Sequence, residues 1–273
     1  MKTDGDGVFA VRWGCTGPGR VAALLVFVLS GCSGDERTIP AAVVQPPFQG
    51  TIFIDPDIIT EADPTTFTGL VYAGQGTREM FDRRVDGWVT RAPYLFDASF
   101  SDGLTIEVQV NPEFASVAAA EAEALFYTDA VGRLPTALRR DVETIWIHQG
   151  VEPYGGGNQN ILIHTGQSAE YIRLGILEET LVHEAAHTSM DGRYAASSGW
   201  LAAQSADPTF ISNYARDFPS REDMAETLVP YLAVRYRSDR ISSSMRAEIE
   251  GAIPNRLAFL NGLGLDMFPI VEP

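Results

Sequence analysis

The sequence predicts an α+β fold, with a β-rich stretch over residues 50–112 and a mainly helical stretch over 113–273. Three observations carry this. "LTIEVQVNPEF", Leu104 to Phe114, alternates as a half-buried strand does, with Ile106, Val108 and Val110 on one face and Glu107 and Gln109 on the other. From about Ser116 the pattern changes to helical spacing and high alanine density. "LEETLVHEAAHTSMD", Leu177 to Asp191, is apolar around its histidines, at Leu177, Leu181 and Val182, and sets His183 and His187 one helical turn apart.

The elements follow in order. "GTIFID", Gly50 to Asp55, opens a strand-like region. "TFTGLVYAGQGT", Thr66 to Thr77, is rich in β-branched and aromatic residues between glycine turns. "REMFDRRVDGWVT", Arg78 to Thr90, fits a short helix or a wrapped loop, and Asn111-Pro112 ends the alternating strand. "ASVAAAEAEALFYTDAVGRL" is the first helix; "LPTALRRDVETIW", Leu134 to Trp146, reads as a second, with Pro135 near its start. "TIWIHQG" and "QNILIHTG" are short apolar runs expected as strands, and "EPYGGGN" between them as a mobile glycine-rich loop. Those glycines lack the spacing of a phosphate loop and have no helix directly behind them, so they do not indicate a nucleotide site. Ser168 is the expected N-cap of a helix running through His187. "REDMAETLVPYLAVRYRS", Arg221 to Ser238, is helical with a kink near Pro230, and one more helix covers about Ser242 to Leu260.

The formal net charge is −16, and Lys2 is the only lysine. Such an acidic surface repels phosphate backbones and excludes nucleic acid as a partner. Near the N-terminus, Arg12 and Arg20 precede the apolar run "VAALLVFVLS", Val21 to Ser30, which suits a signal-peptide core and is too short to span a bilayer. It ends in "LSGC", Leu29 to Cys32, which resembles the lipobox of bacterial lipoproteins. That resemblance implies a signal peptide over 1–31, lipid on Cys32, and a protein anchored to a membrane of the bacterial cell envelope. Ser33 after the cysteine implies the outer membrane. An uncleaved anchor or an ordinary secretory signal is the competing reading. Residues 32–49, rich in Pro and Ala, are expected as a flexible tether ahead of one catalytic domain over 50–273. Cys15 leaves with the signal and Cys32 carries lipid, so no disulfide is expected and the fold must rest on its core.

The chemistry concentrates at His183-Glu184-Ala185-Ala186-His187. Two imidazoles at i and i+4 can hold one zinc ion, and Glu184 beside them can act as general base on a water. A catalytic zinc needs a third protein ligand. Arg193 stands where a downstream histidine ligand would fall, and His148 and His164 lie upstream, so a carboxylate is expected. "REDMAE" offers Glu222 and Glu226, again i and i+4: one can bind the metal while the other accepts a hydrogen bond from a ligating imidazole. Asp191, four residues past His187, is a further carboxylate for a helix end, for a bond to a ligand or for the metal itself. His164, at the end of a strand, either faces the cleft and steadies an oxyanion or is an ordinary strand-end histidine. Trp200 and Tyr194 either line a pocket or pack in the core.

Here a resemblance enters. H-E-x-x-H with "Y-A-x(6)-E-D-x-A-E", Tyr214 to Glu226, resembles the gluzincin zinc metallopeptidases, in particular the anthrax lethal factor and Mlc titration factor type. The resemblance covers roughly residues 160–235 and implies a zincin-like metallopeptidase fold, a mixed β-sheet over the active-site helix. It implies Zn2+ on His183, His187 and Glu222, with Glu226 behind a ligand, and a peptide or protein substrate lying along the strand before the active helix. In those families a tyrosine seven residues before the ligand glutamate stabilises the transition state; Tyr214 precedes Glu222 by eight, so one residue must loop out. Two other functions fit the same residues: a zinc amide hydrolase acting on the cell wall, and a catalytically silent envelope lipoprotein. An intact Glu184 speaks for an enzyme, since binding alone needs no base.

Overall fold

The structure, a computed structural model, describes residues 44–272. The expected signal peptide, Cys32 and most of the expected tether lie outside the described residues. The fold is α+β. A six-stranded mixed sheet has the order β1 (Phe67–Gln75), β4 (Tyr94–Phe100), β5 (Thr105–Val110), β6 (Thr144–His148), β8 (Asn160–His164), β7 (Gly155–Gly157). β5, β6 and β8 run parallel, while β1, β4 and β7 pair antiparallel with their neighbours. The sheet crosses the expected boundary at 112, so the β-rich and helical stretches build one body.

One face of the sheet is covered by helices. α1 (Val117–Gly132) connects β5 to β6 through a single turn, α2 (Thr136–Arg139), and Ser116 caps α1 by accepting from the Ala119 N–H. The second helix expected over 134–146 is therefore only that turn, because "TIWIH" is claimed by β6. α3 (Thr165–Leu174) and α4 (Leu177–Ala186) replace the single helix expected through His187; Gly175 breaks it in the left-handed conformation, φ 69°. Ser168 does not cap a helix. It is buried and bonded to the hydroxyls of Tyr127 and Tyr154. α4 is buried almost all round, with Leu181, Val182, Ala185 and Ala186 in the core against Ile161 and Ile163 of β8. α5 (Ser198–Ala206), α6 (Asn213–Asp217), α7 (Asp223–Tyr236, with Pro230 inside), α8 (Ser243–Ala252) and α9 (Pro254–Gly262) follow. The last two divide at Pro254, where one helix was expected.

The other face carries a hairpin, β2 (Arg78–Asp82) and β3 (Gly87–Arg91), where the sequence suggested a helix or loop. Its Met80 packs on Trp146 and Leu162, and Trp88 stands edge-on to Trp146. Arg78 binds Glu107 through both carboxylate oxygens. The strand expected from Gly50 is instead a strap of turns, tied to the fold from Val44 onward, ahead of the expected tether end at 49. Thr209 donates to the Val44 carbonyl, and Phe48 bridges to Ser212.

Candidate metal centre and cleft

α4 presents His183 and His187 toward Glu222, which stands immediately before α7. The three ligand atoms form a small triangle. His183 Nε2 and His187 Nε2 are 3.2 Å apart, and Glu222 Oε2 lies 3.4 Å from the first and 3.2 Å from the second. A tetrahedral ion with bonds of ~2.0–2.2 Å separates its ligand atoms by roughly 3.3–3.6 Å. The triangle comes within about 0.1 Å of that size, and this cluster could hold a metal ion.

His187 and Glu222 are each held from behind by a hydrogen bond, and His183 faces a second carboxylate. At His187 the helix continues as a π-helical segment, His187–Ala195. Asp191 on that segment takes the Nδ1 proton of His187 in a 2.7 Å hydrogen bond, which leaves Nε2 with its lone pair toward the cluster. Glu226 Oε1 faces His183 Nδ1 at 3.4 Å. Its other oxygen accepts from the Thr51 N–H at 3.0 Å and the Ser212 hydroxyl at 2.5 Å. Arg221 Nε donates to Glu222 Oε1 at 2.8 Å and so leaves one oxygen for the histidines.

The electrostatics agree with a cation site. Burial opposes a charge on His187, but Asp191 and Glu222 outweigh it and push the ring up to about 10; His183 moves the same way for the same reasons, with Glu222 as its main partner. Glu222 is held well below the usual carboxylate range: burial works against its charge, and its contacts with both histidines win. Glu226 is pushed up by burial. The cluster thus favours positive charge, which protonated imidazoles or a divalent cation bound in their place would supply.

The cluster opens onto a cleft of about 880 Å³. Glu184 lines it beside both histidines, with Tyr214 on the wall. Burial, then Glu222, push the Tyr214 phenol up to about 12, so it keeps its proton at neutral pH. Tyr214 belongs to α6, and the extra residue before Glu222 falls in the turn between α6 and α7. Of the expected site residues, Glu184, Tyr214, His183, His187, Glu222, Glu226 and Asp191 all border this cleft.

His164 does not. It shares a face of β8 with Leu162, opposite to the α4 side, and lies fully buried under the hairpin, stacked on His148 at 5.5 Å and 3.8 Å from Asp82. The two-residue period of the strand that points Ile161 and Ile163 at the helices sends His164 away from them. Burial lowers both histidines, His148 to about 4. Trp200 and Tyr194 pack on Phe259 and do not line the cleft.

Nor is β8 the strand at the cleft. The expected glycine loop is β7, the edge strand, joined to β8 by a turn with positive φ at Asn158 and Gln159. Its Gly156 lies against α4: a Cβ there would stand 1.9 Å from the Glu184 carbonyl oxygen. The Gly157 N–H donates to the Thr188 hydroxyl at 2.8 Å. Thr51, Ser212 and Arg221 also escaped the sequence reading. Only Ser212 left a local trace, as the N-cap of α6; the Thr51–Glu226 bond spans 175 residues.

Comparison with protein-family models, with curated proteins and with solved structures returns no match for this chain.

Proposed function

We propose that this protein is a zinc-dependent peptidase of zincin-like architecture. The observation that carries the reading is the ligand triangle of His183, His187 and Glu222, with edges of 3.2–3.4 Å, opening onto a cleft beside Glu184. Two imidazoles and one carboxylate, with a base adjacent, are the donor set of catalytic zinc hydrolases. Zinc held by these residues supplies a water of lowered pKa and a Lewis acid for the substrate carbonyl.

The chain's own groups do the rest. Asp191 and Glu226 fix the imidazoles, and Arg221 fixes the carboxylate. Glu184 accepts the proton of the attacking water and passes it to the leaving amine. Tyr214 donates its hydroxyl proton in a hydrogen bond to the developing oxyanion. An extended peptide pairs with the outer edge of β7. We further propose that lipid on Cys32 holds this domain at the envelope membrane. No described helix is long and apolar enough to cross a membrane.

The test is metal analysis of the purified protein, then peptide-library cleavage with and without chelator. Zinc at one per chain and chelator-sensitive cleavage are expected. Glu184→Gln should keep the metal and lose at least about 100-fold in kcat; full activity in that variant would sink the mechanism.

A further inference from the structure

Arg83 and Arg84 stand side by side at the tip of the β2–β3 hairpin, and they do opposite things. Arg84 is tied inward. Its Nε and Nη2 donate to the two oxygens of Asp82 at 2.9 and 2.8 Å, and its Nη1 to Glu113 at 2.7 Å. Asp82 is buried at the end of β2, so this clamp fixes the tip of the hairpin against the sheet.

Arg83 points the other way, into the cleft. Its guanidinium rests on Gly155, the first residue of the edge strand: a Cβ there would stand 2.9 Å from Nη2. Gly155 thus leaves room for the guanidinium as Gly156 leaves room for α4. The next residue along the strand touches the Glu184 carbonyl. The two contacts fall on opposite faces of the edge strand, and Arg83 and Glu184 both line the cleft that runs past it. Tyr171 stands among these groups. Burial raises its phenol, Glu184 raises it further, and Arg83 acts against both.

Arg83 makes no hydrogen bond and no ion pair among the described residues. The other guanidinium of the cleft, Arg221, is bound to Glu222. In a chain with 36 acids and 20 lysines and arginines, most described arginines have a carboxylate partner. Here the tip is clamped, the strand is cut back to glycine, and the guanidinium faces the cleft without an acid.

We propose that Arg83 is a specificity residue that binds a carboxylate of the substrate beside the scissile bond. The inference rests on the peptidase reading of the cleft. The carboxylate is that of an aspartate or glutamate side chain or that of the peptide's own C-terminus, and both offer the planar pair of oxygens that a guanidinium fork matches.

The experiment measures binding, so that it stands apart from turnover. Zinc-loaded Glu184→Gln protein is titrated with fluorescein-labelled hexapeptide pairs. One set differs by Glu against Gln at each position in turn; another differs by a free C-terminus against an amide. Acid forms should bind on the order of 10-fold more tightly than their amide partners at one position or at the terminus, which says which source is used. Adding Arg83→Gln should bring that ratio to near one, while Arg83→Lys should retain part of it. Pairs that bind equally, peptides that bind in neither form, or an acid preference unchanged by Arg83→Gln would each overturn the proposal. Acid-selective peptides that the wild-type protein binds but does not cleave would refute the peptidase reading and leave Arg83 its ligand. Peptides cleaved without acid preference would do the reverse.

Discussion

At the scale of single residues, the proposed centre separates groups that would hold a metal from groups that would hold its ligands. Glu222→Ala removes one corner of the triangle, and two imidazoles alone bind zinc weakly; metal should be absent after dialysis. Glu226→Ala and Ser212→Ala act one bond further out and should weaken zinc by about 10–100-fold. Competition with a chelator of known affinity ranks them, and the reverse order would exchange the roles of the two glutamates. Glu179, one turn before His183, gives a pH signature. Burial, with smaller effects from Glu178 and Asp55, pushes its carboxyl up to about 9 from an ordinary 4.5, although it accepts from the Ile59 N–H. The folded protein therefore keeps a proton that the unfolded chain releases, and stability falls as pH rises between those values. Glutamine mimics the protonated acid. Glu179→Gln should match wild type near pH 4.5 and exceed it by about 1–3 kcal/mol at pH 8, given ~1.4 kcal/mol per unit at full strength. Parallel urea titrations at the two pH values decide; a difference independent of pH would refute it. The ligands were legible in the sequence because each helix repeats its spacing locally. The donors to Glu226 were not, since a backbone N–H at Thr51 carries no residue signature.

At the scale of elements, the decisive contact is the edge strand on the active helix. β7 crosses α4 at Gly156, where any Cβ would also stand 2.7 Å from the Glu184 carbonyl carbon and 2.9 Å from His187 Cβ. Gly156→Ala must push the strand away from Glu184 and His187. It should cost about 1–3 kcal/mol and lower activity with it. Gly192→Ala is the control, because nothing lies within 4 Å of its Cβ direction. Equal unfolding midpoints for the two variants would show that the strand yields. Local pattern reads poorly here. Three glycines have no side-chain period, so a strand made of them looks like a loop. The hairpin at Arg78–Arg91 is similar: its buried residues are Met80 and the polar Asp82, with Phe81 and Val89 partly covered, too short an apolar run to declare itself. By contrast, β5 and α1 were visible because their buried faces recur through five or more residues.

At the scale of the whole molecule, the cluster draws together segments that are remote in the chain. His183 comes from α4, His187 from the π-helical turn that continues it, and Glu222 from the head of α7. Ser212 comes from the start of α6, and Thr51 from the strap that precedes the sheet. Without the metal, the two helices meet at the cluster through carboxylates against imidazoles whose charge burial opposes, and the strap and α6 reach it only through their bonds to Glu226. With it, all three ligands are tied to one point, and binding free energy becomes folding free energy. At a free zinc concentration 100 times the dissociation constant, that is worth about 2.7 kcal/mol. A domain of this size gains roughly 2–4 °C in melting temperature per kcal/mol. Chelation should therefore lower the wild-type melting temperature by about 5–10 °C, and zinc should restore it. Glu222→Ala should melt at one temperature with or without chelator, since it has no site to empty. Scanning calorimetry of both proteins, each with and without chelator, makes the comparison. Cooperativity matters as much as the shift: because the strap reaches the centre through Glu226, protection of the Thr51 amide against hydrogen exchange should fall on chelation together with that of α4. A wild-type melt insensitive to chelator, with the Thr51 amide unchanged, would mean that the triangle is held by the protein alone and that no ion contributes to the fold.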